Sequence, residues 1–239
     1  MAELRKGFHH ELDEVKQEVL RLAASTIESI ARATNVILSG DLEGADYLIQ
    51  CDVEIDARSV DLEDRCYQIL ALQAPVAGDL RQVVALVKMV AEIERSSDLT
   101  VNICKAARRI YGHELDPKLR GIIAKMGDQA QQLFAAAIEA FETGDVAKAA
   151  ALDDMDSYLD GLQRQFVQAI LESHSAGHIE LQVAIQLAVV ARFYERIGDH
   201  AVNMAERVLY MITGWLPEHK GAARFKERTG EIPRPPEVD

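Results

Sequence analysis

From Phe8 to Gly214 the apolar residues recur every three or four positions and almost nowhere alternate, which marks helices rather than strands. Leu12, Val15, Val19, Leu22, Ile27, Ile30, Ile37 and Leu38 trace one such face. It halts at Ser39-Gly40-Asp41, where glycine suits the residue just past a helix and aspartate the N-cap of the next. A second run halts at Gln73-Ala74-Pro75-Val76-Ala77-Gly78-Asp79. The spacing predicts a third helix from about Asp79 to Tyr111, ending near Gly112, and Asp116-Pro117 supplies the N-cap and first-turn proline of a fourth. One unit is therefore three helices.

The unit then repeats. Thr143-Gly144-Asp145 stands 104 residues after Ser39-Gly40-Asp41, and Glu195 stands 101 residues after Glu94, the difference falling in the turn between the second and third helices of each unit. A period near a hundred residues means two similar domains rather than a solenoid of short units. The expected fold is all-α, with two pseudo-symmetric antiparallel three-helix bundles at 8–113 and 114–214. A polar, proline-containing tail at 215–239 is expected to be mobile.

The repeat carries chemistry. Glu195-Arg196-Ile197-Gly198-Asp199-His200-Ala201-Val202-Asn203 has an earlier copy in Glu94-Arg95-Ser96-Ser97-Asp98-Leu99-Thr100-Val101-Asn102. Helical positions four apart share one face about 6 Å from each other, so Glu94 sits over Asp98 and Glu195 over Asp199. Like charges so placed repel and need a cation, and Arg95 and Arg196 point about 100° away from the carboxylate line. The second helix of each unit holds another such pair, Asp52 with Asp56 and Asp156 with Asp160. In an antiparallel hairpin, residues equidistant from the turn lie level. Positions 54 and 96 have Pro75 as midpoint, while 158 and 197 are centred beside Gly177, so each unit brings two pairs to one height. Oxygen-rich sites of this kind suit Mg²⁺, Mn²⁺, Ca²⁺ or iron rather than structural zinc. One acidic pair would be only a solvated face; four pairs duplicated in register favour a metal or functional patch. Val83, Val87 and Val90 lead into the first patch, but their counterparts Ala184, Ala188 and Ala191 border the second, which suits a shallow groove there.

Composition narrows the function further. A formal net charge of −13 opposes nucleic acid and anionic lipid as partners. There is no signal-like apolar start and no run of about 18 apolar residues, so a cytoplasmic protein is expected, touching membranes only through partners. Cys51, Cys66 and Cys104, without CxxC spacing, are expected to be reduced packing residues. Met204, Met211 and Trp215 are likewise expected to pack. His200 lies off the carboxylate line and is replaced by Leu99 in the first unit, which weighs against a ligand or general-base role.

The duplicated halves, each ending in Glu-Arg-x-x-Asp-x-x-x-Asn, together with Asp79-Leu80-Arg81 opening the third helix after a proline turn, resemble the PhoU family over about Phe8 to Gly214. The resemblance implies multinuclear metal sites, dimers or larger oligomers, and no established catalysis. It places the metal at Glu94, Asp98, Glu195 and Asp199, and with them Asp52, Asp56, Asp156 and Asp160, for divalent or ferric ions such as iron, manganese, magnesium or zinc. It also implies a metal-binding regulator of phosphate uptake that represses the phosphate-starvation response, an adaptor between the transporter ATPase PstB and the sensor histidine kinase PhoR. The second half departs from the pattern, with Ser175-Ala176-Gly177 for the proline turn and Glu180-Leu181-Gln182 for Asp-Leu-Arg, so a contact by Arg81 is expected in the first half alone. Two enzyme alternatives stand beside it. A di-metal carboxylate helical-bundle enzyme needs Glu-x-x-His pairs, which this chain lacks. A metal-dependent phosphohydrolase needs a cationic clamp, for which only Arg95 and Arg196 recur.

Overall fold

A computed structural model describes residues 2–215. Six helices follow one another, α1 (Ala2–Ser39), α2 (Leu42–Gln73), α3 (Ala77–Arg109), α4 (Pro117–Thr143), α5 (Val146–Ser175) and α6 (Leu181–Thr213), with no strand among the described residues. The turns form where their residue types require. Gly40 and Gly144 take left-handed φ of 71° and 68°. Asp41, Asp116 and Asp145 each accept a hydrogen bond from a backbone N–H of the following helix. The third helix starts at Ala77 instead of Asp79, because extended Val76 takes the N-cap position without a side-chain cap. Apart from Trp215, the expected tail lies outside the described residues.

Within each half the middle helix is the outer one: α2 packs on α1 and α3, and α5 on α4 and α6. The halves join along two antiparallel helix pairs, α3 with α6 and α1 with α4. The antiparallel sense follows from cross-links at matched positions, Arg81 to Met211 and Glu92 to His200 in one pair, Lys16 to Glu142 and Arg120 to Leu38 in the other. One apolar core runs through all six helices. Phe134, Phe141 and Phe166 are fully buried in it, each worth about 1.5–3 kcal/mol. Thr34 of α1 gives its proton to the Ile30 carbonyl, so the buried Tyr194 hydroxyl of α6 donates to Thr34 at 2.8 Å. Gly127 makes room for this link, since a Cβ there would stand 2.3 Å from Thr34 Oγ1.

The three cysteines are free. Cys66 and Cys104 are buried, which pushes their thiols up to about 11 and about 12, while Cys51 is half-buried. Met204 is core and Met211 packs against it. Trp215 is not part of the buried core: it is 55% exposed and lies beyond Gly214, the left-handed residue that ends α6.

Candidate functional site

The hairpin of α2 and α3 gathers the first set of carboxylates. Asp52 is buried, Glu94 half-buried, and Asp56 and Asp98 exposed. Ser97 Oγ donates to Asp52 Oδ1 at 2.7 Å. Burial pushes the Asp52 carboxyl up, Ser97 opposes the shift, and the charges of Asp56 and Asp98 add to it. Glu94 is also raised, first by burial and then by Asp98, Asp56 and Asp52. All four acids therefore act on one another across the hairpin, as two i, i+4 pairs at one height require.

The hairpin of α5 and α6 repeats the gathering. Asp156 is pushed up to about 6, first by burial and then by Asp160, Asp199 and Glu195. Glu195 is raised by burial and by Asp199. Gly198 stands where the first half has Ser97, and it lets Asp156 come close: a Cβ on Gly198 would meet Asp156 Oδ1 at 2.3 Å and Leu159 Cδ2 at 2.8 Å. Asp156 Oδ1 and Glu195 Oε2 are buried without a hydrogen-bond donor. Glu195 pairs through its other oxygen with Arg192. Buried carboxylate oxygens without donors, inside a set of mutually repelling acids, fit a hard cation with oxygen ligands. As the side chains stand, no three His, Cys, Asp or Glu residues among the described residues already form a ligating cage, so a cation would have to draw the pairs together.

A second polar site escapes the sequence pattern. Glu92 of α3 is buried against α6, where it accepts hydrogen bonds from His200 Nδ1 at 2.6 Å and Asn203 Nδ2 at 3.2 Å, with Arg95 at 3.8 Å. A carboxylate only accepts, so Nδ1 carries the His200 proton. Burial alone would raise the Glu92 carboxyl, but these hydrogen bonds outweigh it and hold it low. His200 thus fastens the two halves and does not face the acids beside Asp199. Neither residue has a counterpart, since Phe193 and Leu99 occupy the equivalent places. Ser97 was also missed as a partner of Asp52, although both copies of the motif carry a small residue there, serine or glycine. Arg81 donates to the Met211 carbonyl at 3.3 Å and caps the end of α6. Gln182, at the matching place, makes no such bond.

The family model of the PhoU domain matches the chain twice, over residues 19–107 and 123–208. The chain is 34% identical over 216 residues to a Mycobacterium leprae protein named phosphate-specific transport system accessory protein PhoU homolog 1, covering 90% of this chain and 96% of that one. It is also 34% identical to PhoU homolog 2 of Mycobacterium tuberculosis, over 90% of this chain and all of the relative. The crystal structure of the phosphate transport system regulatory protein PhoU from Streptococcus pneumoniae superposes with a TM-score of 0.80 at 26% identity, over 87% of this chain and 98% of the other. PhoU from Pseudomonas aeruginosa superposes at 0.82 and 25% identity, over 87% and 100%.

Proposed function

The chain belongs to the PhoU family, regulatory accessory proteins rather than enzymes, and on that premise we propose that it is a metal-binding accessory regulator of phosphate transport. In this reading it works in the cytoplasm as an adaptor that lowers phosphate uptake and the starvation response when phosphate is plentiful, through contact with the transporter ATPase PstB and the sensor kinase PhoR. No helix among the described residues is long and apolar enough to cross a membrane, which fits a protein that reaches the membrane only through partners. The halves 8–113 and 114–214 would serve as its two metal-binding units, and a homodimer or larger oligomer as its working form.

The observation that carries this reading is the pair of carboxylate sets, one per hairpin, with Asp156 Oδ1 and Glu195 Oε2 buried and donorless in the second. Asp52, Asp56, Glu94 and Asp98 would hold the ion of the first half, and Asp156, Asp160, Glu195 and Asp199 that of the second. A divalent or ferric ion of iron, manganese, magnesium or zinc would neutralise the acids there. The residues themselves set the charge of the two hairpin surfaces, and so what can dock on them. No nucleophile and base constellation accompanies the acids among the described residues, and of the two recurring arginines Arg95 lies 3.8 Å from Glu92.

Deleting the gene tests the reading. The starvation response should then stay on in phosphate-rich medium, and a copy carrying Glu94→Gln, Asp98→Asn, Glu195→Gln and Asp199→Asn should restore repression only in part. Normal uptake and normal starvation output in the deletion strain would refute it.

A further inference from the structure

The acid ladder of the second hairpin ends on cations. On α5, Asp156, Asp160 and Arg164 stand four residues apart, and on α6, Asp199, Glu195 and Arg192 follow at four and three, so each set keeps to one side of its helix. Residues equidistant from the turn lie level, which makes three rungs of these six: Asp156 with Asp199, Asp160 with Glu195, and Arg164 with Arg192. At 1.5 Å per residue the arginine rung lies about 5 Å from the Asp160 and Glu195 rung, on the side of the turn. The rung beyond it, Val167 with Ala188, carries no charge.

Like charges placed level repel, so two guanidinium groups call for an anion as the acids call for a cation. Arg164 is exposed and makes no hydrogen bond or ion pair among the described residues. Arg192 is exposed as well, and it pairs with Glu195 Oε1. A cation held at Asp160 and Glu195 would draw that carboxylate away and leave both arginines without a counter-ion. The first hairpin has no equivalent. Val60 and Ala91 stand at the places of the arginines, and Glu63 with Val87 at the next rung.

We propose that Arg164 and Arg192 clasp inorganic phosphate beside the cation of the second half. The planar fork of arginine presents paired N–H donors that match a tetrahedral oxyanion. Hard cations held by a few carboxylates bind phosphate oxygens as further ligands, and neutralising the four acids removes the repulsion that an incoming anion would meet. The inference rests on the metal-binding reading of the two hairpins and deepens it. The half that carries the arginines responds to phosphate, while the half with Val60 and Ala91 binds its cation alone.

Isothermal titration calorimetry of inorganic phosphate into the full chain tests this, once with the chain loaded with Mn²⁺ and once in chelator. One phosphate per chain should bind to the loaded form, and at least about tenfold more weakly in chelator, where the acids repel it. Arg164→Val with Arg192→Ala, which copies the first half, should weaken phosphate binding at least about tenfold while Mn²⁺ binding and circular dichroism are kept. Lysine at both places should restore part of it. Val60→Arg with Ala91→Arg should raise the stoichiometry towards two. Phosphate bound equally by the Arg164→Val, Arg192→Ala chain, two phosphates per wild-type chain, or phosphoserine bound more tightly than phosphate would each overturn the proposal, the last by assigning the arginines to a phosphorylated partner. Mn²⁺ titrated without phosphate separates the two readings. Mn²⁺ binding with no phosphate binding would overturn this proposal alone, and no Mn²⁺ binding would overturn the metal reading with it.

Discussion

Where the first half has Ser97 donating a hydrogen bond to Asp52, the second has Gly198, against which Asp156 rests with an oxygen that no donor reaches. Two hairpins with the same four acids at the same height thus meet their repulsion differently. The first partly satisfies its deepest carboxylate from within the protein. The second leaves it more dependent on a proton or a cation, and Asp156 accordingly rises to about 6. Duplication preserved the four acids and let the supporting residues diverge. The same divergence appears between the halves, where Glu92 and His200 replace an apolar pair, and on the outer faces, where Arg164 and Arg192 stand at the places of Val60 and Ala91.

The largest effect is expected at the clasp between the halves. His200→Leu leaves Glu92 buried with one of its two hydrogen bonds gone, and urea denaturation should show a loss of about 3 kcal/mol. Copying the apolar counterparts in full, with Glu92→Phe and His200→Leu together, should recover most of that loss. If the double change is worse than the single one, the two halves do not tolerate each other's chemistry at this place.

Exchanging the supporting residues sharpens the comparison. Gly198→Ser would drive a Cβ into Asp156 and Leu159, costing about 2 kcal/mol, and should weaken metal binding in the second half. Ser97→Ala removes one donor from Asp52 and should cost about 1 kcal/mol. Equal costs, read from the same denaturation curves, would show that the two hairpins pack alike.

A smaller effect is expected from pH, and its sign follows from which state holds the proton. The unfolded chain releases an aspartate proton near 4, while folded Asp156 keeps it to about 6. Folded protein in chelator should therefore lose stability as pH rises from about 4 through about 6. Glu92, held low, acts in the opposite sense and at lower pH, its contribution disappearing as pH falls. Asp156→Asn should flatten the slope between pH 4.5 and 7. Asp52→Asn should flatten it less, because Ser97 already opposes the rise of Asp52. A flat wild-type profile in that window would contradict the contrast between the two patches.

Much of this arrangement was legible from local pattern. Ser39-Gly40-Asp41 and Asp116-Pro117 mark helix ends by their own backbone and capping preferences, and a four-residue spacing with a shared turn midpoint sets which acids lie level. The Glu92–His200 clasp was not legible, because it depends on the register of α3 against α6, which no local periodicity encodes. Glu92 reads along its own helix as one more charge, and His200 reads as a neighbour of Asp199. The exposure of Trp215 escaped for a related reason: apolarity marks a residue as able to pack, but Gly214 decides that the helix stops before it can. The unequal outer faces of the two hairpins required knowing that α2 and α5 are the outer helices.

The central claim, that each hairpin uses its four carboxylates to hold a cation, is tested most directly by soaking crystals in Mn²⁺ and measuring anomalous scattering. Peaks are predicted at two places, one among Asp52, Asp56, Glu94 and Asp98 and one among Asp156, Asp160, Glu195 and Asp199. Glu195→Gln with Asp199→Asn should remove the second alone. Fully occupied manganese elsewhere on the molecule, with no density at either patch, would contradict the account.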